Sequence, residues 1–231
     1  MITLININKI KCLLTFCFLV IISNCFAQNL YQTINSAIED CRNGRKIEQL
    51  KELNEFINKN PYDVASTIRN HIIDSSANVR QFVANILGRT GVLCESIYLR
   101  QNICEILSEL TLDKSKGVRK EAFSKIKYFN RSDFNDKCKS NIFNSFRKRL
   151  STDPEAIKVG GYIAPAGLDT ILKNVINEYP TTKTNLLWSA KIAMARMGNK
   201  EAEYYCLTTS EKLGIKRRLK TVIRMNYGSF K

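Results

Sequence analysis

The sequence predicts an all-α chain arranged as an α-solenoid, a superhelix of stacked antiparallel helix pairs. Three observations carry that expectation. Apolar residues recur at helical spacing through most of the chain, and no stretch sustains the period-two alternation of a half-buried strand. One helical segment, Asp74 to Gly91 (DSSANVRQFVANILGRTG), also returns 39 residues later as DKSKGVRKEAFSKIKYF. Asp74, Val79, Arg80, Val83 and Leu87 then correspond to Asp113, Val118, Arg119, Ala122 and Ile126.

Residues 1–27 are set apart as a secretory signal peptide. Lys9 and Lys11 precede an apolar run from Cys12 to Ile22, followed by Ser-Asn-Cys-Phe-Ala-Gln. That run is shorter than the roughly 20 residues a helix needs to cross hydrocarbon. Cleavage is expected after Ala27, leaving residues 28–213 as the helical array and 214–231 as a basic C-terminal tail or capping helix. The alternative is an envelope lipoprotein anchored through Cys25.

The array begins with a hairpin. Leu30, Ile34, Ala37 and Ile38 share one helical face, Arg42-Asn43-Gly44 stops it, and Ile47, Leu50, Leu53, Phe56 and Ile57 form the next. Asn60-Pro61 ends that pair and starts a helix from Tyr62 to Ile73. In the opening segment Asp74 or Ser75 is the expected N-cap, and Gly88 and Gly91 loosen or end the helix. Leu93 to Leu112 reads as another helix, followed by the second copy from Asp113. A weaker third copy surrounds Asp153 and Lys158, where Gly160-Gly161 and Pro165 are expected to break the helix. A fourth, LLWSAKIAMARMG, runs from Leu186 to Gly198, and one more helix follows to Leu213.

The whole chain carries a net charge of +15, which becomes +13 once Lys9 and Lys11 leave with the signal. A basic exported protein favours anionic partners such as nucleic acid, acidic glycans, lipid headgroups or acidic proteins. Five cysteines remain after the signal: Cys41, Cys94, Cys104, Cys138 and Cys206. An odd count leaves at least one thiol free or joined to another chain. Cys94 and Cys104, along one expected helix, lie about 15 Å apart and should not bridge.

These motifs resemble helical repeats of the HEAT type, in the short bacterial variety also found in phycocyanobilin lyases. The residues that carry the resemblance are Asp74 with Val79-Arg80 and Leu87-Gly88, Asp113 with Val118-Arg119, and Trp188-Ser189-Ala190-Lys191 leading to Ala195-Arg196-Met197-Gly198. The likeness implies a HEAT/armadillo-like fold in which the repeated Asp and Arg pair between successive repeats. Asp74, Arg80, Asp113 and Arg119 would then form a structural ladder, extended by Asp153 and Lys158. The signal, ending in Phe-Ala-Gln, is similar to those of Bacteroidetes-type bacteria. Such motifs specify a fold and leave function open.

Catalysis needs tunable groups within hydrogen-bond reach of one another, and the chain offers few. His71 is the single histidine, the cysteines show no Cys-x-x-Cys pair, and Gly160-Gly161-Tyr162 lacks the lysine of a phosphate loop. The reading is therefore non-enzymatic, with no catalytic residue, cofactor or metal expected. It is a protein-protein interaction or scaffold module, periplasmic or secreted. The alternative is a binder of anionic ligands through a basic face, with peripheral membrane contact included. The candidate contact residues are Arg147, Lys148 and Arg149 at one helix end, Trp188 and Lys191 in the fourth copy, and Arg217 and Arg218 in the tail.

Overall fold

The computed structural model describes residues 25–147, 154–178 and 184–212. Those residues form eleven α-helices and two short 3-10 turns, and among them there is no strand. The helices are α1 (25–42), α2 (Leu50–Lys59), α3 (Pro61–Ile68), α4 (Ala77–Leu93), α5 (Ile97–Leu110), α6 (Lys116–Ile126), α7 (Asp136–Ser145), α8 (Pro154–Ile163), α9 (Leu168–Glu178), α10 (Thr184–Arg196) and α11 (Lys200–Lys212). No helix among the described residues is long and apolar enough to cross a membrane.

The helices pack both on neighbours in sequence and on the next but one. Helix α4 lies against α3, α5 and α6; α5 lies against α7; α8 lies against α10, which also covers α9 and α11. Helix α6 starts 39 residues after α4, and α7 starts 39 after α5, so the repeat seen in the sequence is a repeat of helix pairs. Their apolar faces meet in one connected core, which includes Ile34 of α1, Leu87 of α4, Leu107 of α5, Ile126 of α6, Ile142 of α7 and Ala190 of α10. Phe26, before the expected cleavage point, packs its ring edge-on to Phe56 at 5.1 Å.

Several local expectations are corrected. The N-cap of α4 is Ser76, later than expected, and Asp74 instead accepts a hydrogen bond from the Ser76 amide. Helix α4 continues through Gly88 and Gly91 to Leu93, so Cys94 closes α4 and α5 begins only after Ser96, whose hydroxyl accepts from the Leu99 amide. These glycines allow helices to touch. A Cβ on Gly91 would lie 2.3 Å from the buried Phe129 ring, and one on Gly88 would lie 2.4 Å from the Lys125 stem.

The same correction applies to Gly160-Gly161, which lies inside α8 and breaks nothing. A Cβ on Gly161 would lie 2.4 Å from the Ala193 Cα of α10, so only glycine permits this backbone approach. Helix α8 ends instead at Ile163, before Ala164 with φ of 53° and Pro165. The helix from Tyr62 is shorter than expected: α3 stops at Ile68 and a 3-10 turn covers Arg69–His71.

Candidate interaction surfaces

Asp74 and Asp113 lie in the loops that precede α4 and α6, and Arg80 and Arg119 in the first turns of those helices. Arg80 is the fourth residue of α4, and from there its side chain folds back over the loop before the helix. Its Nη1 donates to the carbonyls of Asp74 (2.6 Å) and Ser75 (3.0 Å). Its Nε and Nη2 donate to the two Asp113 carboxylate oxygens at 2.6 and 3.0 Å, a bidentate pair with both side chains buried. Asp74 itself meets Arg42 of α1 at 2.8 Å. The loops of successive helix pairs are thus tied by Arg42 to Asp74 and by Arg80 to Asp113.

Arg119, the fourth residue of α6, repeats the first half of the device by donating to the carbonyls of Asp113 (2.8 Å) and Lys114 (2.9 Å). Asp153 lies outside the described residues. Lys158 is half-buried in α8, and its carbonyl accepts from Arg196 of α10 at 2.7 Å. Burial alone would raise the Asp113 pKa, but hydrogen bonds from Arg80 and the Ser115 amide, with the Arg80 charge, hold it below the ordinary value. Asp74 behaves alike: burial opposes, while the Ser76 amide and Arg42 lower it.

A second set of ties, not read from the sequence, joins the other helices of the pairs. Arg100, the fourth residue of α5, donates to the carbonyls of Cys94 and Glu95 at 3.0 Å and to the fully buried Asp133 at 3.1 Å. Ser76-x-x-Val79-Arg80, Ser96-x-x-Leu99-Arg100 and Ser115-x-x-Val118-Arg119 are one motif at half the pair period. That signal was present in the sequence, at steps of 20 and 19 residues.

Of the other candidate contact residues, Trp188 and Lys191 come together at Tyr205. Trp188 packs against the core and meets Tyr205 of α11 at 6.5 Å, while the Lys191 ammonium lies 5.0 Å from the same Tyr205 ring. Arg147 is exposed at the end of the α7 segment. Lys148, Arg149, Arg217, Arg218 and the expected signal up to residue 24 lie outside the described residues. Among the described residues no three His, Cys, Asp or Glu side chains gather as a metal-ligating group. The thiols other than that of Cys25 are buried: desolvation pushes Cys41 and Cys206 up to about 11 and Cys138 to about 12, and raises Cys104 well above its ordinary value.

Two concavities lie near these residues. A shallow one of about 350 Å³ lies over the tied loops, between Ile73, Asp74, Arg80, Asp113 and Lys114. A narrower groove of about 120 Å³ runs between α3 and α5. Tyr62 and Tyr98, each the second residue of its helix, are 60% and 73% exposed on its walls. Ser66 and Arg69 line one side, Asn102 and Ile106 the other. Arg69 makes no ion pair or side-chain hydrogen bond among the described residues, and no carboxylate lines the groove. Asp63 is held by Asn60, and Glu105 by Asn135 and Lys137.

No protein-family model, curated protein or solved structure matches this chain.

Proposed function

We propose that this chain is an exported, non-enzymatic interaction module, built as a short HEAT-like α-solenoid and acting on protein partners in the periplasm or outside the cell. The observation that carries the reading is the pair of exposed tyrosines, Tyr62 and Tyr98, which wall a groove between neighbouring helices. Large aromatics are the side chains that anchor protein interfaces, and soluble surfaces seldom leave them grouped. The solenoid arrangement draws support from the recurrence of the arginine device at the same position of α4, α5 and α6. Each helix has an apolar face that a neighbouring pair must cover, and the arginines tie the loops at those junctions. Arg80 and Asp113, the charges that the repeat brings forward, are bound to each other.

Affinity capture from an envelope extract, at low and at moderate salt, tests the module. A partner retained at moderate salt, and cross-linked to the chain by mass spectrometry, is the expected outcome; no partner at either salt overturns the reading. Export is tested separately, by fractionation and by the mass of the secreted chain, which should begin at Gln28.

A second reading, an anion-binding face, is favoured by Lys114, Lys116 and Lys120, exposed around the start of α6 with no ion pair among the described residues. For that reading heparin affinity should fall steeply as salt rises. A flat response excludes it.

A further inference from the structure

The groove between α3 and α5 has a polarity that selects among protein partners. We infer that it takes an extended peptide segment of a partner protein, carrying an apolar or aromatic residue and, three positions on, an aspartate or glutamate. This rests on the interaction-module reading and narrows it.

The two ends of the groove differ in chemistry. Tyr62 and Tyr98 offer ring faces with little conformational entropy to lose, and their hydroxyls stay in water when an apolar side chain settles between them. Seven residues along from Tyr62, Arg69 presents an exposed guanidinium without an acidic neighbour in the groove. The carboxylates on the two helices already have partners: Asp63 has Asn60, Glu105 has Asn135 and Lys137, and Glu109 has Lys137. A guanidinium binds a carboxylate through two parallel hydrogen bonds, which an uncharged group cannot supply. Charge complementarity therefore asks for an acid at that end, in keeping with the chain's net charge of +15.

The spacing follows from geometry. Seven helical residues rise about 10 Å, and a chain extended in the polyproline II conformation covers nearly that distance in one turn of three residues at ~3.1 Å each, which puts side chains three positions apart on the same edge. Asn102, on the opposite wall, has a side-chain amide able to donate to or accept from the backbone of such a segment. With a volume of about 120 Å³ the groove accommodates little more than one anchoring side chain, leaving the peptide backbone at its mouth. A folded helix laid across it would place most of its apolar face outside.

The test uses the full chain from Gln28, immobilised and panned with displayed random dodecapeptides. Enriched sequences should share an apolar or aromatic residue three positions before Asp or Glu. Two labelled decapeptides, centred on Phe-Ser-Gly-Glu and Phe-Ser-Gly-Lys, then give affinities directly. The acidic peptide should bind at least about tenfold more tightly, Arg69→Glu should reverse the preference, and Tyr98→Ala should weaken both by about tenfold. Both substituted side chains are exposed, and unchanged melting by circular dichroism confirms that the variants fold. Enriched peptides without an acid, no enrichment, or affinities indifferent to Arg69→Glu and Tyr98→Ala would each overturn the inference. Envelope-protein capture separates the two levels. A partner captured equally by wild type and both variants leaves the module standing and removes the groove, whereas no peptide and no captured partner removes both. Heparin competing with the peptide through Arg69 would reassign the groove to polyanions.

Discussion

The α4–α6 junction and the α8–α10 junction join helices of successive pairs by different means. At the first, contact is distributed: the Arg80–Asp113 pair clamps the loop end, Asn85 donates to Glu121 at 2.8 Å midway, and Gly91 receives the Phe129 ring. At the second, Gly161 lets α8 lie directly on the Ala193 backbone, and Arg196 of α10 donates to the Lys158 carbonyl. The difference teaches that helices in one connected core can be joined by either a directional charged clasp or a close steric fit. A clasp can be read from residue types, but a fit depends on what lies opposite.

The comparison breaks most sharply at the clasp. Asp113→Ala leaves a buried guanidinium facing a vacated site, and breaking such a pair costs roughly 3–5 kcal/mol. The single tryptophan, Trp188 in α10, lies outside both helices of the clasp and reports on the other junction. In denaturant titration the helical signal of Asp113→Ala should begin to fall before Trp188 fluorescence changes. The double substitution Arg80→Met with Asp113→Leu should recover most of the lost stability, because an apolar pair needs no desolvated charge. If it is as unstable as Asp113→Ala, the pair itself is the source of stability.

The steric junction should respond in the opposite order. Gly161→Val places branched carbon where the Ala193 backbone already sits, so its cost should reach or pass the top of the roughly 1–3 kcal/mol usual for overpacking. Trp188 fluorescence should then change first. A thermal melt indistinguishable from wild type would show that α8 and α10 can separate freely.

Acid distinguishes the junctions more gently. The folded pKa of Asp113 is depressed, so its stabilising contribution is present in full above the ordinary aspartate value of 3.8 and is lost as pH falls through the lower folded value. Stability at the α4–α6 junction should decline as pH falls from the ordinary value towards the folded one and level off below it, and Asp113→Asn should flatten the dependence. The smallest effect belongs to Arg42→Ala: Arg42 is solvent-exposed, and such pairs are worth about 0–1 kcal/mol. A melting shift as large as that of Asp113→Ala would contradict the distinction between exposed and buried ties.

The all-helical character and the 39-residue step were legible because apolar spacing and charged landmarks survive in the sequence. A pairing role for Asp74, Arg80 and Asp113 was implied by the likeness to HEAT-type repeats and not by spacing; in the structure Arg80 meets Asp113 and Asp74 meets Arg42. Arg100 was missed because its aspartate, Asp133, sits in a 3-10 turn and does not open a helix. Gly88, Gly91, Gly160 and Gly161 read as helix breaks and are contacts instead, since glycine permits both a turn and a close approach and sequence alone does not state which. The α3–α5 groove was invisible: Tyr62 and Tyr98 are 36 residues apart, and nothing in either segment announces the other.

The buried thiols carry a practical consequence. Cys41, Cys104, Cys138 and Cys206 sit in α1, α5, α7 and α11, each shielded from solvent and each harder to ionise than a free thiol. An alkylating reagent reaches them only when their own helix opens. The chain thus carries four built-in clocks along its length, and pulsed labelling would report the order in which its segments come apart.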